Sequence, residues 1–222
     1  MNVTHLHRRL LPDLLSVGAG YPLALTGDYA AQAHGLFDRP GRTVDAATQS
    51  PAPMPEIAET VVAGLRERGW RVDARETDPL SAQLVVADAV AEEEGEIDLL
   101  KEALWHPPVP TELGLTLALE DVVGMRVWAL TARGLPRDLL VVHAAADRWT
   151  LPDLEDLGRR HARDTFDLAD LQSRLTGADW IDDREFAKHG ADAEEITALR
   201  HWAQTWADDI AERLIEGRPP ED

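Results

Sequence analysis

The 222-residue chain carries 22 basic and 41 acidic residues, a net charge of −19, with 44% hydrophobic residues and no cysteine. That balance excludes disulfide and thiolate chemistry and argues against non-specific binding to DNA or RNA, which depends on neutralising phosphates. The length suits one large domain or two lobes, and the apolar fraction is that of a globular protein.

The first stretch, MNVTHLHRRLLPDLLSVG, is broken by Pro12 and Asp13 and does not read as a secretion signal. No apolar run approaches the roughly 20 residues of a membrane span. A cytoplasmic protein without membrane contact is expected. Residues 4–16 read as a helix with a Leu6, Leu10, Leu11, Leu14, Leu15 stripe. Residues 21–26 form a short apolar run that ends at Gly27, as a buried strand would. A helix over 28–35 follows, with Asp28 placed as its N-cap. Thr43 to Thr48 is a β-type run. Met54, Ile57, Ala58, Val61, Val62 and Leu65 then recur at helical spacing until Gly69.

Strands are expected over about 71–77, 82–88 and 95–101, with a hairpin turn at Ala91-Glu92-Glu93-Glu94-Gly95. The proline-rich 105–110 reads as a loop. Helices fit 119–133, 137–147, 151–163, 165–175, 182–189 and 192–216, and Arg218-Pro219-Pro220-Glu221-Asp222 reads as a loose tail. The fold class predicted is α+β: a mixed sheet with flanking helices over 1–118, then a helical lobe over 119–222. Arginine clusters at Arg8-Arg9, at Arg66, Arg68 and Arg71, and at Arg159, Arg160 and Arg163 fit solvated helix faces. His5 and His7 are two apart on a helix and so diverge. Trp202 and Trp206, four apart, fit packing.

Three features of the first lobe suit phosphoryl transfer. Leu25-Thr26-Gly27-Asp28-Tyr29 is a strand, a glycine turn and a helix start, where backbone N–H groups can approach a phosphate. Asp45 lies on the next strand and Asp98 on a later one. Carboxylates on neighbouring strands hold divalent ions that neutralise phosphates and activate an attacking hydroxyl.

YPLALTGDYAAQAHGL (21–36), RPGRTVDAAT (39–48), EIDLLKEALW (96–105) and ALEDVVGMRVWALTARGLPRDLLVVHA (118–144) together resemble the AbiEii/AbiGii-type nucleotidyltransferase toxin family. That resemblance implies a polymerase-β-like fold and transfer of a nucleotide from an NTP to an acceptor, in some members tRNA. It also implies Mg²⁺ or Mn²⁺ and a cognate antitoxin. Carried onto this chain, Asp45 and Asp98 would be metal ligands, and Arg126 would contact the triphosphate. Gly27, Asp28 and Tyr29 would form the phosphate turn, with Arg42 and Thr43 bordering the site beside Arg39.

The chain departs from the family at each motif. Asp28 stands where a second glycine or a serine is usual, and Thr43 where Asp-x-Asp has its first carboxylate. Arg126 replaces a lysine, and Val141 a second aspartate after Arg137-Asp138. Thr43 offers a neutral hydroxyl where an anion would bridge ions, and Asp28 would repel a phosphate by a few kcal/mol at about 4 Å. If Asp28 turned toward Asp45 and Asp98, it would supply a third carboxylate. The expectation is weak or absent transfer; the alternative is a pseudoenzyme acting as a binding or assembly protein. A hydrolase lacks a recognisable nucleophile. Trp128, two residues after Arg126, would face the mouth of the site.

Overall fold

A computed structural model of the chain describes residues 1–36, 38, 41–88, 93–162 and 166–216. The expected turn at 91–95, Arg39, Arg163 and the 218–222 tail fall wholly or partly outside these residues. The chain divides into two compact units, Met1–Val122 and Val123–Asp222.

In the first unit, α1 (His5–Val17) and α3 (Met54–Glu67) cover one face of a seven-stranded mixed sheet. The strands are β1 (Ala24–Leu25), β2 (Thr43–Thr48), β3 (Trp70–Thr77), β4 (Ser81–Asp88), β5 (Glu94–Lys101), β6 (Val109–Thr111) and β7 (Gly114–Thr116). Their spatial order is β3-β4-β5-β2-β1-β7-β6. β2 runs parallel to β5, and β1 parallel to β7; the other pairings are antiparallel. The α+β class read from the sequence is the observed one.

Side-chain alternation divides the sheet into two surfaces. Val44, Ala46, Leu84, Val86, Ile97 and Leu99 face α1 and α3 and are buried against Leu10, Leu14, Ile57 and Leu65. Burying one of these valine, leucine or isoleucine side chains stabilises the fold by about 1.5–3 kcal/mol. Thr43, Asp45, Gln83, Glu96 and Asp98 occupy the alternate positions and are half-buried or exposed. This period of two is why acidic residues survive in the middle of central strands.

Three differences from the sequence reading have local causes. The strand ending at Gly27 is only Ala24–Leu25, because a 3-10 turn over Gly18–Gly20 and the bend at Tyr21-Pro22 use up its expected start. The loop through the prolines contains the β6–β7 hairpin. Pro110 fits there because β6 is the outer strand of the sheet, where a missing N–H costs no ladder bond. Asp28 is not the N-cap of α2 (Gly27–Ala33): Thr26 holds that position and Asp28 lies in the first turn. Its carboxylate there suits the positive end of the helix.

The second unit contains most of α4 (Leu119–Arg133), followed by α5 (Pro136–Ala145), α6 (Leu151–His161), α7 (Leu168–Thr176), α8 (Asp183–Ala187) and α9 (Ala193–Glu216). Ile196, Leu199, Ala203, Trp206 and Ile210 are the buried stripe of α9. Trp202 packs between His143 and Trp206, with ring centroids 5.1 and 5.3 Å away. Buried Glu155 accepts from Trp206 Nε1 at 2.9 Å and from Arg213 Nη1 at 3.0 Å, which ties α6 to α9.

Candidate functional site

Gly27 opens α2 with φ +64, a conformation that favours glycine. A Cβ built on it would lie 1.9 Å from Asp45 Oδ2. The Asp45 carboxylate therefore rests directly on the glycine turn, and only hydrogen at that position leaves room for it. Backbone pairing fixes the approach, since Thr26 N–H donates to Asp45 O at 2.9 Å and Leu25 lies opposite Ala46.

Asp98 is the direct partner of Asp45 in the parallel β2–β5 ladder. Adjacent strands lie about 4.8 Å apart and paired residues share a face, so the two carboxylates emerge side by side. Gly27, Asp45 and Asp98 thus converge. Thr43 stands two residues before Asp45 on the same face and donates its hydroxyl to Asp45 Oδ1 at 2.7 Å. Where the resemblance expects a carboxylate, this chain has a donor that orients the remaining one.

The sequence reading missed Glu96. It pairs with Thr43 across the same ladder and lies beside Asp98. Arg75 Nη1 donates to Glu96 Oε1 at 2.8 Å, and Gln83 is the β4 partner of Asp98. The signal was present, because Glu96-Ile97-Asp98 is an acid-x-acid pair on a strand. Burial pushes the Asp98 carboxyl above its ordinary value, and the neighbouring Glu96 charge adds to the rise.

The sign of that shift gives a prediction. The folded state holds the Asp98 proton more tightly than the unfolded chain does. Ionised Asp98 therefore costs stability above its raised value, and the cost disappears as pH falls below the ordinary carboxylate range. Asp98→Asn is expected to raise the melting temperature at pH 7, with a gain that shrinks toward pH 4. Melting curves at the two pH values check this.

The remaining candidates are dispersed. Tyr29 is buried, and its hydroxyl hydrogen bonds His7 Nδ1 at 2.5 Å, so the ring is committed to the core. Arg42 is exposed and lines a separate cavity of about 470 Å³ with His5, His7, Glu93 and Glu94. Asp28 does not complete a trio: among the described residues, no three His, Asp or Glu side chains stand close enough to hold a metal ion.

Within the second unit, Arg126 Nη1 donates to Asp138 Oδ1 at 2.9 Å, and Arg133 Nε donates to Asp138 Oδ2 at 3.1 Å. Asp138 is 0% and Arg126 7% exposed. This pair joins α4 to α5. Val141, one turn further along α5, is fully buried and packs in the core. Trp128 is half-buried.

No protein-family model matches the sequence, and no curated protein matches it. Solved structures do. JHP933 from Helicobacter pylori is 16% identical with a TM-score of 0.58, the match covering 97% of each chain. A candidate nucleotidyltransferase from H. pylori is 15% identical with a TM-score of 0.57, again over 97% of each chain. MenT4, a nucleotidyltransferase toxin from Mycobacterium tuberculosis, is 15% identical with a TM-score of 0.59, over 96% of this chain and 93% of that one. The fold is that of a nucleotidyltransferase. At these identities the likeness carries the fold alone; β5 and β2 are the third and fourth strands across this chain's seven-stranded sheet. No helix among the described residues is long and apolar enough to cross a membrane.

Proposed function

We propose that the chain is a toxin-type nucleotidyltransferase-fold protein that binds a nucleotide at the Gly27–Asp45–Asp98 face and transfers it weakly or not at all. The observation that carries this is the pairing of a preserved scaffold with a reduced charge set. Asp45 rests on Gly27 and is in register with Asp98, while Thr43 supplies a hydroxyl in place of an anion.

The donor set fits one hard cation better than two. Mg²⁺ is commonly held by one or two carboxylates with substrate phosphates and water completing its shell, and Asp45 and Asp98 would be those carboxylates. A bound ion would supply charge neutralisation for the phosphates. Thr43 keeps Asp45 Oδ1 occupied and oriented, and Asp28, in the first turn of α2, opposes incoming phosphate charge. Arg126 would contact the triphosphate only by leaving a buried ion pair, a cost that favours binding without efficient turnover.

The test is incubation of pure protein with each labelled NTP, Mg²⁺ or Mn²⁺, and total tRNA. Little or no label above background is expected, and robust labelling of an acceptor would overturn the reading. A second reading, a non-catalytic binding or assembly protein, is favoured by the burial of Arg126 and Val141. Heating the protein with and without Mg-NTP separates the two, because a ligand that binds only the folded state raises the melting temperature by mass action. A shift supports nucleotide binding; no shift at millimolar Mg-NTP supports the assembly reading.

A further inference from the structure

Trp180 closes the 3-10 turn Gly177–Trp180 and is 88% exposed. A tryptophan has more apolar surface to hide than other residues, and this one is left out while Ala178 and Phe186 on either side are buried. Its backbone is nevertheless held. Arg200 Nη2 donates to Ile181 O at 2.7 Å, and Arg200 Nε to Ala178 O at 3.4 Å, so one guanidinium grips the carbonyls on both sides of the exposed ring. The same Arg200 pairs with Asp183 Oδ1 at 2.7 Å and stacks over Phe186, 5.7 Å from the ring centroid. Asp182 accepts from Arg184 N–H at 2.8 Å and caps α8. Trp180 is therefore displayed on a fixed loop, which lowers the entropy cost of using it in a contact.

The surroundings of the ring select the partner. Asp179, Asp182, Asp183 and Glu185 are all exposed; Asp183 is paired with Arg200 and Glu185 with Lys188, so the negative charge beside the ring rests on Asp179 and Asp182. Carboxylates attract cations and repel phosphates, and the face of an indole is the strongest aromatic acceptor for a guanidinium or ammonium. Both features recognise the same chemistry. We infer that Trp180 and its acidic rim form a docking point for a basic protein segment, with an Arg or Lys side chain seated on the indole face. Those carboxylates disfavour nucleic acid as the occupant.

The experiment titrates the full-length protein into a fluorescently tagged hexa-arginine peptide at physiological ionic strength and reads anisotropy. Trp180→Ala is expected to weaken binding about two- to fivefold, and Asp179→Asn about twofold. Trp105→Ala, which removes the exposed tryptophan of the first unit, should leave the affinity unchanged. Equal affinities for the wild type and Trp180→Ala would show attraction by bulk charge and overturn the inference. So would a dimer in sedimentation that dissolves on Trp180→Ala, since the occupant would then be a second copy, and so would Trp180-dependent binding of a single-stranded RNA.

Discussion

Placing aspartate at Thr43 and glycine at Asp28 in one chain is expected to tighten Mn²⁺ binding at least about tenfold, or about 1.4 kcal/mol, and to tighten NTP binding with it. Thr43 already lies within hydrogen-bond distance of Asp45, so an aspartate there would set two carboxylates side by side, with Asp98 across the ladder. Two like charges about 4 Å apart repel by about 4 kcal/mol at an effective dielectric near 20. The metal-free variant should therefore melt lower than the wild type, and a divalent cation should restore more stability to it than to the wild type. Asp28→Gly removes an opposing charge from the first turn of α2. Isothermal titration with Mn²⁺, paired with melting curves, reads both effects. An unchanged Mn²⁺ affinity would show that position 43 is not where a metal-bridging carboxylate belongs.

Asp138→Ala is expected to destabilise the protein by about 3–5 kcal/mol, because it leaves the buried Arg126 guanidinium without this carboxylate. Arg133, which is only partly buried, can turn to water, so most of the loss comes from Arg126. The paired replacement Arg126→Met with Asp138→Leu should cost clearly less than Asp138→Ala alone, since apolar side chains of similar volume often substitute for a buried ion pair without penalty. Urea unfolding of the three proteins measures this. A loss under about 1 kcal/mol for Asp138→Ala would mean that the pair is a surface-like contact, and Arg126 would then be available to a ligand at little cost.

Much of the sheet was legible in the sequence because strands such as β2 and β5 alternate buried apolar residues with polar ones. Thr43–Thr48 was read with both ends in place, and α3 was plain from its stripe and from Gly69. The β6–β7 hairpin was not legible: three-residue strands carry too few alternations to be seen, and Pro110 argues for a loop unless the strand is known to be outermost. For the site, a short sequence motif locates single residues, whereas ladder register locates pairs. Asp45 and Asp98 could be named from motifs, but that they are direct partners, and that Glu96 stands opposite Thr43, depends on pairing over more than fifty residues of chain. The assignment of Asp28 failed by two positions because the glycine at φ +64 was itself the first residue of the helix. Val141 gave no hint of its role, since an apolar residue replacing an acid in a helix reads the same whether it faces a ligand or the core.

Mn²⁺ electron paramagnetic resonance measures most directly whether Asp45 and Asp98 act together as the anionic centre of a nucleotide face. In the presence of a non-hydrolysable NTP analogue, the wild type should hold about one Mn²⁺ per chain, and Asp45→Asn and Asp98→Asn should each abolish that binding. Wild-type binding that survives either substitution would contradict that joint role.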